Sequence, residues 1–446
     1  MPPGGRWIRF AATPALLGLA LAPAPALTAG APPVVEDTLP NGLRVLVLED
    51  HRSPVVTVQV WYRVGSRNEL PGATGLAHFL EHMMFKGTPT HGKGVFARLV
   101  EENGGQYNAF TTQDVTSYFV DVAADKVDLM LRLEADRMRG LLLDPAEIDA
   151  ERQVIMEERR SRVDDDPAGV MLEEMSALAY MAHPYAWPVI GWMDDIRRIT
   201  PSELRAFYER HYAPNNALLL VVGDVEAARV HGRVRELFGA IPRAPDAPPV
   251  TAIEPPQRGE RRVFLRRVGA QLPVVAVAWH VPNFRSSDAP VLEVLSLILS
   301  SGRASRLHQR LVYEEQLALV ASGDYSYFSA DPTLFWLFAQ PLPGKKPETL
   351  EHALWAEIER LQRDPVPDEE LERAKNQVEA AFVWRQDSVH SRAATLARFE
   401  LAGSWRDVER FVPMIRAVTA ADVQRVARAY FSAEKKSAGI LVPAEP

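Results

Sequence analysis

The stretch PVVTVQVWY (54–62) carries the two-residue alternation of a β-strand, and it recurs as PVVAVAWHV (273–281). Working outward, each copy has a strand before it, LPNGLRVLVLED (39–50) and GERRVFLRRV (259–268). Each has an apolar helix after it, GLAHFLEHMMFKG (75–87) and PVLEVLSLILSSG (290–302). Farther on, DPAEIDAERQVIMEE (144–158) matches VPDEELERAKNQVEAA (366–381). Near the ends, ITPSELRAFYERHYAPNNALLLVV (199–222) matches VTAADVQRVARAYFSAEKKSAGILV (418–442). Thr200 and Thr419, Leu204 and Val423, Phe207 and Val426, and Tyr212 and Phe431 fall at equivalent places. A period of about 200 residues means a duplicated domain, not a solenoid. In each copy strands come first, helices fill the middle and a strand returns late. That order predicts the α+β class: two similar α/β sandwich domains, each a mixed or antiparallel sheet with helices on one face.

The Pro-rich run IPRAPDAPPVTAIEPPQ (241–257) lies between the copies. Proline stops helix and sheet continuation, so this reads as a linker. The expected organisation is a targeting segment at 1–29, a first domain at 35–240, the linker at 241–257 and a second domain at 258–446. The 446 residues are 47% apolar and 24% charged, the profile of a folded protein. There is no cysteine, which excludes disulfides, thiolate metal sites and a Cys nucleophile. Any metal must be held by His, Asp or Glu. A formal net charge of −8 gives a nucleic-acid role no electrostatic support.

The opening MPPGGRWIRF, with Arg6 and Arg9, is followed by AATPALLGLALAPAPALTAGA. Basic residues, a short apolar stretch and small residues predict a signal peptide cut between Ala26 and Ala31. Pro14, Pro23 and Pro25 interrupt the apolar run too early for a comfortable membrane anchor. No later segment reads as a transmembrane helix. The expectation is an exported, periplasmic protein with no integral membrane association after cleavage.

The sharpest chemical signal is His78-Phe79-Leu80-Glu81-His82. Residues i and i+4 of a helix share a face, so both imidazoles can reach one cation, with Glu81 beside them. Thr74 and Gly75 can open this helix and Gly87 can end it. Zinc needs a third protein ligand. The helix EIDAERQVIMEERRSR (147–162) offers Glu151 and Glu158, which are nearly two turns apart and share a face, whereas Glu157 points away. Such charged runs are also ordinary surface helices, and spacing alone gives Glu158 only modest support.

With these residues in view, the chain resembles the pitrilysin (inverzincin) family of zinc peptidases, in the short-subunit class of the mitochondrial processing peptidase subunits. That family carries H-x-x-E-H, then about 75 residues, then a glutamate. Here 75 residues separate His82 from Glu158. The likeness runs on through GGQYNAFTTQDVTSY (104–118), ERQVIMEE (151–158) and HPYAWPVIGWMDDI (183–196). The resemblance implies zinc held by His78, His82 and Glu158, with Glu81 as the general base. It implies that Glu151 orients a ligand histidine. It also implies that Asn108, Ala109 and Phe110 lie on an edge strand that pairs with the peptide substrate, Asn108 and Ala109 nearest the metal. From pattern alone that segment is only a hairpin or edge strand.

The second copy has lost this chemistry. Glu293, Ser296 and Leu297 replace His78, Glu81 and His82, and Ala374 and Ala381 replace Glu151 and Glu158. In larger family members the second half supplies an Arg and a Tyr that hold the substrate carbonyl. In SRLHQRLVYEEQLALV (305–320) those positions are Val312 and Leu319, with Arg310 and Tyr313 out of register. The resemblance therefore implies half of a clamshell, completed as a heterodimer by a related subunit bearing the Arg/Tyr pair. The competing role is a non-catalytic core or scaffold subunit, against which the intact pentad argues. Met171 and Met175 are expected to pack a helix, and Trp187 and Trp192 a loop.

Overall fold

A computed structural model describes residues 33–444. The targeting segment at 1–29 lies outside the described residues. The first sheet comprises β1 (Val35–Thr38), β2 (Arg44–Glu49), β3 (Val55–Tyr62), β4 (Gln106–Thr111), β5 (Thr116–Ala123) and β6 (Ala217–Gly223). Its order is β1-β2-β6-β3-β5-β4. The second comprises β7 (Arg261–Arg267), β8 (Val274–Val281), β9 (Ala318–Tyr325), β10 (Thr333–Pro341) and β11 (Ser437–Pro443), in the order β7-β11-β8-β10-β9. The late strand of each half enters between the first two of the repeat, parallel to β2 or β7 and antiparallel to β3 or β8. Both sheets are therefore mixed, and the topology repeats apart from the added β1.

The duplication extends to single hydrogen bonds. Thr200 and Thr419 both cap a helix, over Pro201–His211 and Ala420–Tyr430, through reciprocal capping boxes with Glu203 and Asp422. Helices of the first half pack one sheet face: Phe79, Leu80, Ile155, Leu204 and Val234 meet Val45, Val58 and Val221. In the second half Leu292, Leu295, Ile358 and Val423 meet Val275 and Val277 in the same way.

The other face of each sheet is covered from the opposite half. The helix Val389–Ala402 lays Ala393, Leu396 and Ala397 on Leu46, Trp61, Leu218 and Leu220 of the first sheet. The helix Pro167–Ala179 lays Met171, Met175 and Ala179 on Ala276, Ala278 and Leu441 of the second. Gly439 permits this contact, since a Cβ there would lie 2.6 Å from the Met171 sulfur. The methionines pack a helix as expected, but across the boundary that the repeat suggests.

The run 242–258 contains no helix or strand. It is tied down where the Glu254 carboxylate accepts the N–H groups of Met181, Ala182 and His183 at 2.9–3.1 Å. Among the described residues, no helix is long and apolar enough to cross a membrane.

Candidate active site

The pentad helix spans Leu76–Met83, shorter than the 75–87 stretch, with turns carrying the chain on to Gly87. Its apolar residues Phe79, Leu80 and Met83 face the core, which turns His78, Glu81 and His82 away from it. Two carboxylates hold its start. Glu69 accepts the N–H groups of Gly75 and Ala77, both at 2.8 Å. Asp195 accepts from the Thr74 backbone at 3.2 Å and from its hydroxyl at 2.7 Å. Carboxyl oxygens at a helix N-terminus satisfy its orphan donors. At Glu69 burial pushes the carboxyl up, against the pull of the Ala77 and Gly75 N–H groups. Gly75, at φ 92°, abuts the 190–191 backbone, where a Cβ would lie 2.7 Å from the Ile190 carbonyl oxygen.

The helix Pro145–Arg159 runs alongside and brings two glutamates to the histidines. Nε2 of His82 lies 3.4 Å, and Nε2 of His78 3.7 Å, from the same Glu158 oxygen. Donor atoms of His78, His82 and Glu158 lie within 4.8 Å of one another, the one such His/Asp/Glu convergence among the described residues. Nδ1 of His82 lies 2.8 Å from Glu151, whose other oxygen is paired with Lys86. Nδ1 of His78 is buried without a partner. Arg162 closes on the far oxygen of Glu158 at 2.7 Å.

The electrostatics separate the groups by role. Burial opposes charge on His82, but its bonds to Glu151 and Glu158 outweigh this and push it up to about 9. Burial and then the neighbouring His82 charge push His78 down to about 4. The bond to His82 lowers Glu158. Burial raises Glu81, against the opposing pull of the Thr111 hydroxyl and His82.

Strand β4 forms the outer edge of the first sheet, next to the pentad helix. Thr111, at its end, donates to a Glu81 oxygen at 2.6 Å. The hairpin bond Thr112 N to Val115 O sets the ladder phase, so Tyr107, Ala109 and Thr111 turn their backbone groups outward. In keeping with this, the N–H of Ala109 meets only the Asn108 side chain, at 2.9 Å. Phe110 points to the opposite face, edge-on to Trp61 at 5.2 Å. Ala109 therefore has its main chain on the open edge of the sheet, whereas the Phe110 ring is packing. The β4–β5 turn is anchored to the second half. Asp114 accepts from Tyr185 OH at 2.6 Å and from Ala330 N at 3.1 Å, and Arg67 bridges Asp114 and Asp331 at 3.1 and 2.7 Å. Trp187 joins this packing through its indole bond to the Ser66 carbonyl.

Four participants escaped the sequence reading: Thr111, Lys86, Glu69 and Asp195. Lys86 follows His82 by four residues, and Thr111 follows Ala109 by two, so helical and strand periodicity could have found both. Nothing local marks Glu69 or Asp195. In the second half, the matching helix Ala289–Ser300 carries Glu293, which burial pushes up to about 7. Arg310 is occupied by Glu314 and Glu315 at 2.9 and 3.1 Å, and Tyr313 is exposed.

Residues 44–191 match the family model described as insulinase (peptidase family M16), and residues 198–378 the model described as the peptidase M16 inactive domain. The chain is 33% identical over 409 residues to zinc protease PqqE of Helicobacter pylori, covering 91% of this chain and 92% of that protein. It is 28% identical over 413 residues to a probable mitochondrial-processing peptidase subunit beta of Arabidopsis thaliana, covering 90% and 76%. A solved protease structure from Helicobacter pylori has a TM-score of 0.90 at 33% identity, covering 92% of this chain and 100% of that one. The periplasmic protease PqqL from Escherichia coli shares the fold, with a TM-score of 0.73 at 20% identity, and this chain spans 47% of it. Since one family's models match both halves and a relative of matching length shares a third of its residues, the chain belongs to the pitrilysin, or insulinase, peptidase family M16.

Proposed function

We propose that this chain is an exported zinc endopeptidase that cuts peptides or unfolded segments and works with a related partner subunit. The carrying observation is that His78, His82 and Glu158 converge on one point with Glu81 fixed beside them. Two imidazole nitrogens and one carboxylate oxygen suit zinc and leave a position open for chemistry. A bound zinc ion would polarise the scissile carbonyl and acidify water at the site. Glu81 takes the proton of the attacking water and passes it to the leaving amine. The Thr111 hydroxyl holds one Glu81 oxygen and so fixes the direction of that transfer. Glu151 fixes the His82 ring through Nδ1, leaving Nε2 to face Glu158. The outward main chain of Tyr107 and Ala109 takes the substrate as an added strand. Relatives named as zinc proteases support the reading.

Glu81→Gln keeps the shape and removes the base. The expected result is full zinc content with hydrolysis reduced about 10²-fold or more. His82→Ala is expected to lose the metal. A Glu81→Gln enzyme within about threefold of wild-type kcat means that another group is the base, and full zinc in His82→Ala removes the ligand assignment.

Export rests on the basic and apolar pattern of the first 29 residues, and the Escherichia coli neighbour is a periplasmic protein. The partner rests on the second half, where Val312 and Leu319 stand at the Arg and Tyr positions and Arg310 is already ion-paired. Losing carbonyl-holding donors costs about 3 kcal/mol of transition-state stabilisation. A homodimer brings the same Val and Leu twice. The chain alone should therefore be weakly active, and a related chain bearing the Arg/Tyr pair should restore activity as a heterodimer by light scattering. Full activity from a monomer or homodimer refutes the partner. A purely scaffolding role leaves Glu81 without a task.

A further inference from the structure

The two halves repeat one topology, and the repeat exposes what the second half lacks. In the first sheet, β2 is covered twice. Its outer edge pairs with β1, from Val35↔Val47 to Thr38↔Arg44, and the helix Ala227–Phe238 packs against it. The acidic residues of β1 are held by arginines: Glu36 by Arg44 at 2.7 Å and Asp37 by Arg235 at 2.6 Å. Strand β7 is the counterpart of β2. Among the described residues, no strand pairs with its outer edge.

The direction of its free groups follows from the ladder. Arg261 donates its N–H to the Lys436 carbonyl, and the Arg267 carbonyl accepts from Ala444. These positions face β11, so the alternate residues Arg262, Phe264 and Arg266 turn N–H and C=O outward. Phe264 is 51% exposed and Val268 61%. Residues 258–267 hold five arginines and one glutamate in a chain of net charge −8. Arg262 is neutralised by Glu260 and Glu351, but Arg258, Arg266 and Arg267 have no carboxylate partner among the described residues. Arg266 lies 5.9 Å over the Phe264 ring instead. Charges on an edge strand ordinarily repel other strands, yet a blocked edge has no reason to show a phenylalanine and a valine.

We propose that β7 docks an acidic extended segment of another polypeptide, added antiparallel to it as β1 is added to β2. Main-chain bonds to residues 262, 264 and 266 give the pairing, carboxylates meet Arg258, Arg266 and Arg267, and an apolar side chain covers Phe264. The outward main-chain groups and the β1 precedent favour a polypeptide over other polyanions.

The probe is the capped hexapeptide Val-Val-Glu-Asp-Thr-Leu, the sequence of residues 34–39, added to the full chain. Binding is followed by fluorescence anisotropy and by amide hydrogen exchange. The expected result is protection of the Arg262, Phe264 and Arg266 amides. Affinity should fall about tenfold or more in Phe264→Pro, which removes an outward N–H without touching an internal ladder bond. It should fall likewise in Arg266→Glu, which keeps the strand backbone, and for a peptide N-methylated at alternate residues. Binding that these changes leave intact, protection confined to β4, or no peptide binding overturns the proposal. So does an oligonucleotide or an anionic vesicle binding in the peptide's place. A dimer through β7, seen as doubled mass in light scattering, overturns it by naming a second copy as the occupant.

Discussion

Glu81 and Glu151 are carboxylates of one small site in opposite environments. Burial raises Glu81, which moves its proton affinity in the direction the proposed general base needs. At Glu151 burial pulls the same way but is outweighed by bonds to His82 and Lys86, which keep it ionised. An ionised carboxylate suits the holding of an imidazole N–H, not proton transfer. Thr111 is the residue that distinguishes orientation from basicity at Glu81. Thr111→Val keeps the volume and removes the hydroxyl bonded at 2.6 Å. A hydrogen bond to a charged group is worth about 1.5–3 kcal/mol, so kcat should fall about 10- to 100-fold with zinc content unchanged. Single-turnover hydrolysis and metal analysis on the same preparation check this. An unchanged kcat would mean that packing alone positions Glu81.

At the scale of elements, a helix of eight residues has too few turns to be stable alone, so the pentad helix depends on its caps and its packing. Glu69 supplies two of the acceptors at its start. In Glu69→Gln one acceptor becomes an amide N–H facing a backbone N–H, and one buried donor is left unsatisfied. The expected cost is about 1–3 kcal/mol, seen as a lower melting temperature and easier zinc loss to a chelator. A variant with wild-type melting and chelator resistance would show that Asp195 suffices. The helix itself was legible because its histidines obey a four-residue spacing, and β3 and β8 because of their alternation. The caps were not, since Asp195 lies more than a hundred residues away. Nor was the second cover of β3. Thr57 and Gln59 are the polar residues of that alternation, yet they are 0% and 1% exposed. Gln59 bonds Thr57, Trp61 and the carbonyl of His390, over 300 residues distant, so its polarity is satisfied inside the protein. Alternation predicts which residues share a face but not what later covers that face.

At the scale of the molecule, the exchanged helices decide what folds as a unit. Repeat and linker suggest two domains, but each lends the other a helix. Removing the second half uncovers Leu46, Leu48, Trp61, Leu218, Leu220 and Val222 on one sheet face. Buried apolar side chains of this size contribute about 1.5–3 kcal/mol each, so the loss is on the order of 10 kcal/mol. That equals the whole stability of a typical domain, about 5–15 kcal/mol. Polar ties would go as well: Arg392 to Asp50 at 2.6 Å and Glu400 to Arg44 at 3.0 Å. A fragment of residues 33–240 should therefore lack a cooperative melt and should bind a hydrophobic dye. Coexpression with 241–444 should restore both a sharp transition and low dye binding, and the intact chain should melt once in calorimetry. A fragment that melts cooperatively and stays dye-free would mean that the exchanged helix is an accessory, and that the first half can be built and engineered alone.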